Sequence, residues 1–280
     1  MKTPAIKVKN LTQTFYEYEK DATLWQMLLS PKVEKRALDD ISFMISKGSS
    51  LGVIGRSGSG KSILQKVLAG YIRGTQPGSV ELLGKNWRDN DNELTGSVRH
   101  ISSPPIVTNE LTPEQQIKFY NSLFGKNGQH MLGVDDLVPM FGMQEFYTRK
   151  IGNLSLGERV RTDLAGTLAA GIPEILLLDE ITNGLDDLLK HDIRGILNDL
   201  RKEFGMAVVM TSHDLDDIEA VCGHVLVLDK GKNVAKKGNL VDCDARVGNL
   251  INVKKWTNNG QSSLKEKVIS TYESFDRKLS

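Results

Sequence analysis

The sequence predicts an α/β fold with a mostly parallel central sheet. Short apolar runs of strand length recur along the chain, and amphipathic segments of helical length separate them. A glycine-rich loop joins one such strand to one such helix. The 280 residues allow one large domain, or one domain with a subdomain and a tail.

The elements at the start of the chain are mainly strands. Residues 5–15 alternate apolar and polar side chains, as a half-buried strand does, and residues 37–49 indicate a second strand that ends in a turn. Residues 50–55 form a short apolar run that leads into the glycine-rich loop. Apolar residues at helical spacing over 62–72 then predict a helix, and residues 78–86 predict a strand and a turn.

Helices and strands alternate in the rest of the chain. A strand is expected at "SVRHI", and the pattern over residues 111–146 is helical and irregular. The elements predicted after these are, in order, a helix over 154–171, a buried strand over 174–180, an amphipathic helix over 185–204, a strand over 206–213, a helix over 214–223 and a hairpin over 224–238.

Composition sets limits on partners and setting. Thirty-six basic against thirty-five acidic residues give a net charge of +1, which does not indicate nucleic acid as the main partner. No apolar run approaches the roughly 20 residues that cross a bilayer, and the first residues lack the apolar core of a signal peptide. Cys222 and Cys243 are too few for a disulfide framework, so a reducing cytosol is the expected setting.

The glycine-rich loop matches the phosphate-binding pattern G-x-x-x-x-G-K-[ST] at every fixed position. Glycines let several backbone N–H groups point into one concavity, and the helix that follows adds the positive end of its dipole. Lys61 would reach the β- and γ-phosphates and Ser62 would bind Mg²⁺; the alternative is a flexible turn before a helix. The predicted ATP-binding residues here are Gly55, Arg56, Ser57, Gly58, Ser59, Gly60, Lys61, Ser62 and Ile63.

Two adjacent carboxylates end the buried strand "EILLLDE". Ligands bind at the carboxyl edge of open α/β sheets, so Asp179 and Glu180 are placed where a nucleotide would lie. We expect Asp179 to hold Mg²⁺ through water and Glu180 to orient or deprotonate the attacking water. Apolar strands that end in acids are common, and the pair gains meaning only downstream of a phosphate loop.

Four further motifs make the chain similar to the nucleotide-binding subunits of ABC transporters, over roughly Ile6–Gly238. Asn153–Arg161, "NLSLGERVR", resembles the family's signature sequence, and Thr211–Asp214, "TSHD", resembles its histidine switch. Asn183–Asp187, "NGLDD", resembles the loop that crosses the dimer interface. Phe15 is placed where the family has an aromatic residue that stacks on adenine, with Tyr16 or Tyr18 as alternatives.

The resemblance implies a fold and further site residues. It implies a P-loop NTPase core, an antiparallel β subdomain and an inserted α-helical subdomain at about residues 97–160, within a domain of residues 1–243 and before a tail of unknown role at 244–280. Ser155 and Gly157 would receive the γ-phosphate of ATP bound to the other subunit, and Asp186 would join the ATP-binding residues. His213 would contact the γ-phosphate, as a catalytic residue beside Glu180 and Lys61.

Three positions depart from the family pattern. Ser103 lies where a glutamine is expected, since Gln115 and Gln116 come too late, inside a predicted helix. A serine side chain is shorter than that of glutamine, but it can still donate or accept a hydrogen bond. Ser103 is therefore predicted as a metal-site residue together with Ser62 and Asp179. Leu156 replaces a common glycine in the signature, and Ile181 replaces the proline that usually follows the glutamate.

The resemblance implies an ATP-hydrolysing subunit that powers a membrane exporter through nucleotide-driven dimerisation. It implies ATP and Mg²⁺ as cofactors, a separate transmembrane permease and a second copy or a paralogous ATPase as partners, and a peripheral place on the cytoplasmic face of the membrane. Residues 111–150 would form the groove for the permease. The alternatives are a catalytically weak or non-catalytic subunit, and a soluble ATPase of this family acting on ribosomes or DNA.

An insertion between Phe15 and Ala37 suggests the type of transporter. It resembles a segment of type-2 exporter ATPases for lipid-linked glycans and teichoic acids, in which a helix lies near the membrane. Its apolar residues Trp25, Met27, Leu28 and Leu29 lie among lysines and an arginine, which suits an interface. A helix packed on its own domain is the alternative. The signature and histidine motifs look closer to drug and small-lipid exporters, so the cargo stays open.

Overall fold

Twelve strands and six helices are found in the part of the chain that the computed structural model describes, residues 4–18, 33–72, 79–87, 94, 96–105, 107–124, 132–234, 243–244 and 250–253. The strands are β1 (Pro4–Glu17), β2 (Val33–Ser46), β3 (Ser50–Gly55), β4 (Ser79–Leu82), β5 (Lys85–Asn86), β6 (Val98–Ser102), β7 (Ile175–Asp179), β8 (Ala207–Thr211), β9 (His224–Asp229), β10 (Lys232–Asn233), β11 (Cys243–Asp244) and β12 (Leu250–Asn252). The helices are α1 (Lys61–Leu68), α2 (Pro113–Phe124), α3 (Val134–Met140), α4 (Leu156–Ala169), α5 (Asp187–Phe204) and α6 (Leu215–Val221).

The strands form two sheets. The smaller sheet has the order β2-β1-β4-β5 and is antiparallel. The larger has the order β11-β12-β9-β3-β8-β7-β6, and its strands from β9 to β6 are all parallel, with β12 and β10 added antiparallel to β9. The predicted mostly parallel central sheet and antiparallel β subdomain are confirmed.

Strand β7 shows why the central sheet forms. All five of its residues are buried, as expected for a parallel strand that is covered on both faces. Its side chains alternate between the two faces. Leu176 and Leu178 join one hydrophobic core with α4 and α5, whereas Ile175 and Leu177 join a second core with the antiparallel sheet and α1.

Three helices, α2, α3 and α4, follow β6 along the chain and precede β7, its parallel neighbour in the sheet. Ile117 of α2, Leu137 of α3 and Leu164 of α4 are fully or almost fully buried in one shared core. The predicted helical insertion is therefore confirmed, and Gln115 and Gln116 lie inside α2 as expected. The boundaries 1–243, 97–160 and 244–280 stay predictions.

The parallel strands bring the site together. Strands β3, β7 and β8 run side by side in the same direction, so their carboxyl ends meet at one edge.

None of the described helices combines the length and the apolar character that membrane crossing requires. The expected membrane-side helix with Trp25, Met27, Leu28 and Leu29 lies outside the described residues, as does most of the tail after Asp244.

Candidate nucleotide site

The glycine-rich loop runs from the end of β3 to the first residue of α1. A Cβ atom on Gly55 would lie 2.3 Å from Ser59 Oγ and 2.5 Å from the Leu228 carbonyl oxygen, so only glycine fits there. Gly60, the residue before α1, has a φ of 106°, which favours glycine, and no side chain caps the helix. The first amides of α1 are therefore available to an anion.

Lys61 is held inside this loop. Its side chain is only 5% exposed. Its ammonium group donates to the carbonyl oxygens of Gly55 at 2.9 Å and of Arg56 at 3.4 Å, and lies 3.8 Å from Glu180 Oε1. The loop thus keeps one positive charge at the centre of its concavity, where a phosphate chain would lie.

Asp179 ends β7 next to the start of α1. Its Oδ1 atom accepts hydrogen bonds from Ser62 Oγ at 3.3 Å and from Thr211 Oγ1 at 2.6 Å. A hydroxyl and a carboxylate at this distance are hard oxygen donors of the kind that Mg²⁺ prefers, with water and phosphate oxygens completing the shell. The residues present therefore fit the ion.

Ser103 lies close to Asp179 through its backbone. Its N–H group donates to the Asp179 carbonyl oxygen at 3.0 Å, at the end of the β6–β7 pairing. Its side chain is exposed, and Ser103 is not among the described residues that line the cleft around Lys61 and Glu180. Its proposed place at the metal stays a prediction.

Glu180 is held in an unusual backbone conformation. Its φ is +56°, which costs of order 1–3 kcal/mol for a residue other than glycine. Its N–H group bonds to the Thr211 carbonyl oxygen at 3.2 Å and to Thr211 Oγ1 at 3.0 Å. Its carboxylate then lies 2.8 Å from His213 Nε2 and accepts a 2.9 Å hydrogen bond from Asn183 Nδ2. Thr211 and Asn183 are contributions that sequence reasoning missed, although both belong to motifs it had identified.

These groups surround a cleft of about 760 Å³, a volume in the range of ligand sites. Phe15 and Lys35, which are cross-strand partners on β1 and β2, form one side of it. We call this the phosphate cleft; it is lined by Phe15, Lys35, Arg36, Ala37, Ser57, Gly58, Ser59, Gly60, Lys61, Ser62, Ile63, Glu180, His213 and Lys230.

Four of these lining residues, Ala37 and three cationic residues, were not predicted from the sequence as site residues. Lys35 and Arg36 come from β2, and Lys230 comes from the turn between β9 and β10. No local pattern marks them, because the sheet pairing and the turn position bring them to the cleft. With Lys61 they make its lining cationic, which suits a polyphosphate.

Three predicted ATP-binding residues outside the glycine loop do not line the phosphate cleft: Ser155, Gly157 and Asp186. Ser155 caps α4: its Oγ accepts from the Glu158 N–H group at 3.3 Å, and its own N–H group donates to Glu158 Oε2 at 2.8 Å. Partial burial alone would raise the pKa of Glu158, but these bonds and the Arg149 guanidinium hold that pKa below its usual value.

Asp186 caps the neighbouring helix start. Its Oδ1 accepts from the Leu189 N–H group at 2.9 Å, at the first turn of α5. A Cβ atom on Gly157 would lie 2.3 Å from Leu189 Cδ2, so the starts of α4 and α5 pack tightly together. Ser155, Gly157 and Asp186 thus share one surface, which we call the helix-start face.

A second cleft, of about 460 Å³, lies between the end of α1, strand β6 and helices α2 and α4. Tyr71, 67% exposed, meets the His100 ring edge-on at 5.4 Å at this cleft. Burial lowers the pKa of His100, so its ring favours the neutral form. We call this the sheet-edge cleft. Of its lining residues only Tyr120 falls within residues 111–150, where the resemblance implied a groove for the permease, so the position of that groove stays a prediction.

Comparisons with known proteins agree with this arrangement. Residues 38–183 match the family described as ABC transporter. The chain is 29% identical over 198 residues to the bacitracin transport ATP-binding protein BcrA of Bacillus licheniformis, and this alignment covers 71% of this chain and 63% of that protein. It is 29% identical over 252 residues to the methionine import ATP-binding protein MetN 1 of Oenococcus oeni, which covers 86% of this chain and 66% of that protein. The chain thus spans about two thirds or less of the length of these relatives.

A solved structure of an ABC transporter cassette has a similar fold. The dimeric structure of MJ0796, a bacterial ABC transporter cassette, has a TM-score of 0.66 and 25% identity, and it covers 81% of this chain and 96% of that one. The family match includes the phosphate loop and Asp179 and Glu180. The chain therefore belongs to the ABC transporter family and contains that family's ATP-binding domain.

Proposed function

We propose that this chain binds ATP with Mg²⁺ and hydrolyses it, and that hydrolysis powers a membrane transporter. The observation that carries the proposal is the placement of Glu180 and His213. Their side chains are 2.8 Å apart at the mouth of the loop that holds Lys61, itself 3.8 Å from Glu180. An acid, a histidine and a buried cation thus meet where a γ-phosphate would lie.

Each group has a role in phosphoryl transfer. The loop amides and Lys61 would bind the phosphates, and the Phe15 ring, which lines the same cleft, would stack on the base. Ser62 and Asp179 would hold Mg²⁺, which when bound neutralises charge on the β- and γ-phosphate oxygens. Glu180 orients a water molecule and accepts its proton, while His213 holds the γ-phosphate by a hydrogen bond.

The helix-start face supports a dimer with a second copy or a paralogous ATPase. Ser155, Gly157 and Asp186 do not line the phosphate cleft of their own chain, yet Ser155 and Gly157 open a helix whose amides suit a phosphate. The MJ0796 cassette is described as dimeric. Two ATP molecules would then each lie between the cleft of one chain and the helix-start face of the other.

The membrane partner would be a separate permease, with this chain on the cytoplasmic face of the membrane. The sheet-edge cleft supports this part of the proposal, since an exposed tyrosine and half-buried polar side chains suit a short helix from another protein. Closure of the dimer on ATP would move the α2–α4 insertion and so transmit the cycle.

Export is the proposed direction, and it rests on the sequence of the insertion after Phe15. One relative is named for bacitracin transport and another for methionine import, so the names support a transporter but not a direction. A non-catalytic ATP-binding subunit is the second candidate, favoured by the exposed Ser103 in place of a glutamine. A role on ribosomes or DNA gains no support from a net charge of +1.

Turnover of purified protein tests the proposal. We expect Glu180→Gln to keep ATP binding and to lower phosphate release by about 100-fold or more, as loss of a general base does. Glu174→Gln is the matched control, because this half-exposed glutamate directly precedes β7, at the end opposite to Glu180, and pairs with Lys47 at the surface. Phosphate release should stay at the wild-type level in that control.

Three results would contradict the proposal in different ways. ATP binding without turnover in the wild type, even with its membrane subunit, would select the non-catalytic candidate. Equal turnover in Glu180→Gln and wild type would remove the role of Glu180. Absence of ATP binding would remove the whole proposal.

A further inference from the structure

Asp217 is a fully buried carboxylate on α6 that no sequence motif identifies. We infer that it is a positioning residue, which holds Glu180 and His213 in their mutual geometry. The inference rests on the proposed function, since it assigns a role in the proposed hydrolysis. It is carried by contacts that Asp217 makes to the two chain segments bearing this pair.

One oxygen of Asp217 joins both segments. Its Oδ2 atom accepts hydrogen bonds from Thr182 Oγ1 at 2.5 Å and from Ser212 Oγ at 2.9 Å. Thr182 lies two residues after Glu180, and Ser212 directly precedes His213. All three partners are at most 2% exposed, so water does not compete for these bonds.

The other oxygen anchors the carboxylate to helix α5. Asp217 Oδ1 accepts from Arg194 Nε at 2.7 Å and also from Arg194 Nη2. A buried carboxylate needs such a partner, because an uncompensated charge in the interior is costly. The result is a clamp with a fixed base on α5 and two contacts to the segments that follow β7 and β8.

A neighbouring ion pair supports the same segment. Asp214, the residue after His213, bonds to Lys190 Nζ at 2.8 Å, and that bond holds the pKa of Asp214 below its usual value. The Asp214 N–H group also donates to Ser212 Oγ at 3.0 Å. Helix α5 therefore contacts the His213 segment on both sides of the histidine, through Asp217 and through Asp214.

The clamp acts on geometry that catalysis depends on. His213 is half exposed and Glu180 is partly exposed, and both lie beyond the last paired residues of β7 and β8. A displacement of about 1 Å at a reacting group costs on the order of 100-fold in rate. Loss of the clamp should lower turnover without weakening the hold of the phosphate loop on ATP.

The test compares Asp217→Asn with conservative substitutions of its two hydroxyl partners and with one control variant. We expect Asp217→Asn to lower kcat by about tenfold to a hundredfold while the Kd for ATP changes by less than about twofold. Thr182→Val and Ser212→Ala should each cause part of this loss, and neither should add to it in the Asp217→Asn background.

Arg201→Met is the matched control. This arginine lies two turns beyond Arg194 on α5 and bonds to the Gly48 carbonyl oxygen and to Asn198, not to either clamped segment. Its loss should lower the Tm and leave kcat at the wild-type value. If Asp217→Asn behaves like Arg201→Met, with a lower Tm and an unchanged kcat, the inference is wrong.

A structural readout keeps this inference separate from the proposed function. Crystal structures of wild type and Asp217→Asn should show that the 2.8 Å contact between His213 Nε2 and Glu180 Oε1 is lost in the variant. An unchanged contact would overturn the inference whatever the turnover of the wild type. Should Asp217→Asn fail to fold, the Thr182→Val/Ser212→Ala double variant leaves the Arg194 pair intact and takes its place in both measurements.

Discussion

The phosphate cleft and the helix-start face are both built from residues that sequence motifs identified, but they differ in completeness. In the cleft, groups from the loop, from β7 and from the segment after β8 contact one another: Lys61 lies 3.8 Å from Glu180, and Glu180 lies 2.8 Å from His213. On the helix-start face, Ser155 and Asp186 contact only the starts of their own helices among the bonds found there.

The difference is what the proposed dimer requires, in which each chain would supply half of two sites. The cleft brings its own acid, histidine and cation together, so it is complete for binding phosphates. The helix-start face is exposed, and its capping serine offers a helix N-terminus to something outside the chain. In the proposed dimer, the helix-start face of a second chain would cover the phosphates held in the cleft of the first, and the reverse contact would form at the other cleft.

The largest expected effect comes from the cleft. Gly55→Ala places a methyl group 2.3 Å from Ser59 Oγ and 2.5 Å from the Leu228 carbonyl oxygen, so the loop must open. We expect the affinity for ATP to fall by about 100-fold or more, because backbone amides then no longer converge on the phosphates. Fluorescent-nucleotide titration of the purified variant measures this.

Gly58→Ala is the comparison within the same loop. Nothing lies within 4 Å of a Cβ at Gly58, and only its φ of +76° opposes the change. The left-handed conformation costs roughly 1–2 kcal/mol, so the affinity should fall by about tenfold. An equal loss in both variants would contradict the steric account of Gly55.

A substitution on the helix-start face should have a smaller effect on ATP binding but a clear effect on assembly of the dimer. Ser155→Asp keeps a residue that caps helices well and places a negative charge where the partner's γ-phosphate would lie. ATP binding by each chain should persist, while ATP-dependent dimerisation and turnover are lost. Light scattering with and without ATP, together with phosphate release, checks this. A dimer that still forms with ATP would place the phosphate contact elsewhere.

Mixing two inactive variants sharpens the same comparison. Lys61→Ala disables the cleft, and Ser155→Asp disables the helix-start face, so a mixed dimer keeps one intact composite site. With random pairing of a two-fold dimer, about a quarter of the wild-type rate should return. Failure of the mixture to exceed either variant alone would show that the two regions do not meet across a dimer.

The smallest expected effect lies on α5, which begins at the helix-start face. Gly195 is exposed in the middle of this helix, and a Cβ atom there meets nothing within 4 Å. Gly195→Ala should raise the free energy of unfolding by about 0.5–1 kcal/mol through helix propensity alone. Urea unfolding measures it, and phosphate release should stay unchanged. A change in turnover would show that the stiffness of α5 itself matters to the cleft.

Much of the fold could be predicted because its signals are local. The run "EILLLDE" has strand length and an apolar centre, and its residues Ile175–Asp179 form β7, in which every residue is buried. The glycine loop could be predicted from spacing, since closure at Gly55 tolerates no side chain. The parts that escaped prediction are set by distant contacts: Lys35 reaches the cleft by pairing with Phe15, and Lys230 reaches it from the turn after β9.

By itself, the sequence determined the α/β class, the phosphate loop and the two acids at the end of a buried strand, because each depends on residues adjacent in the chain. Only the tertiary structure decided that Asp217 joins the Glu180 and His213 segments, and that Ser155 and Asp186 share a face apart from the cleft. The physical reason is that burial and hydrogen bonding act between groups that are close in space, and only the packing of α4, α5 and α6 around the sheet brings these groups together.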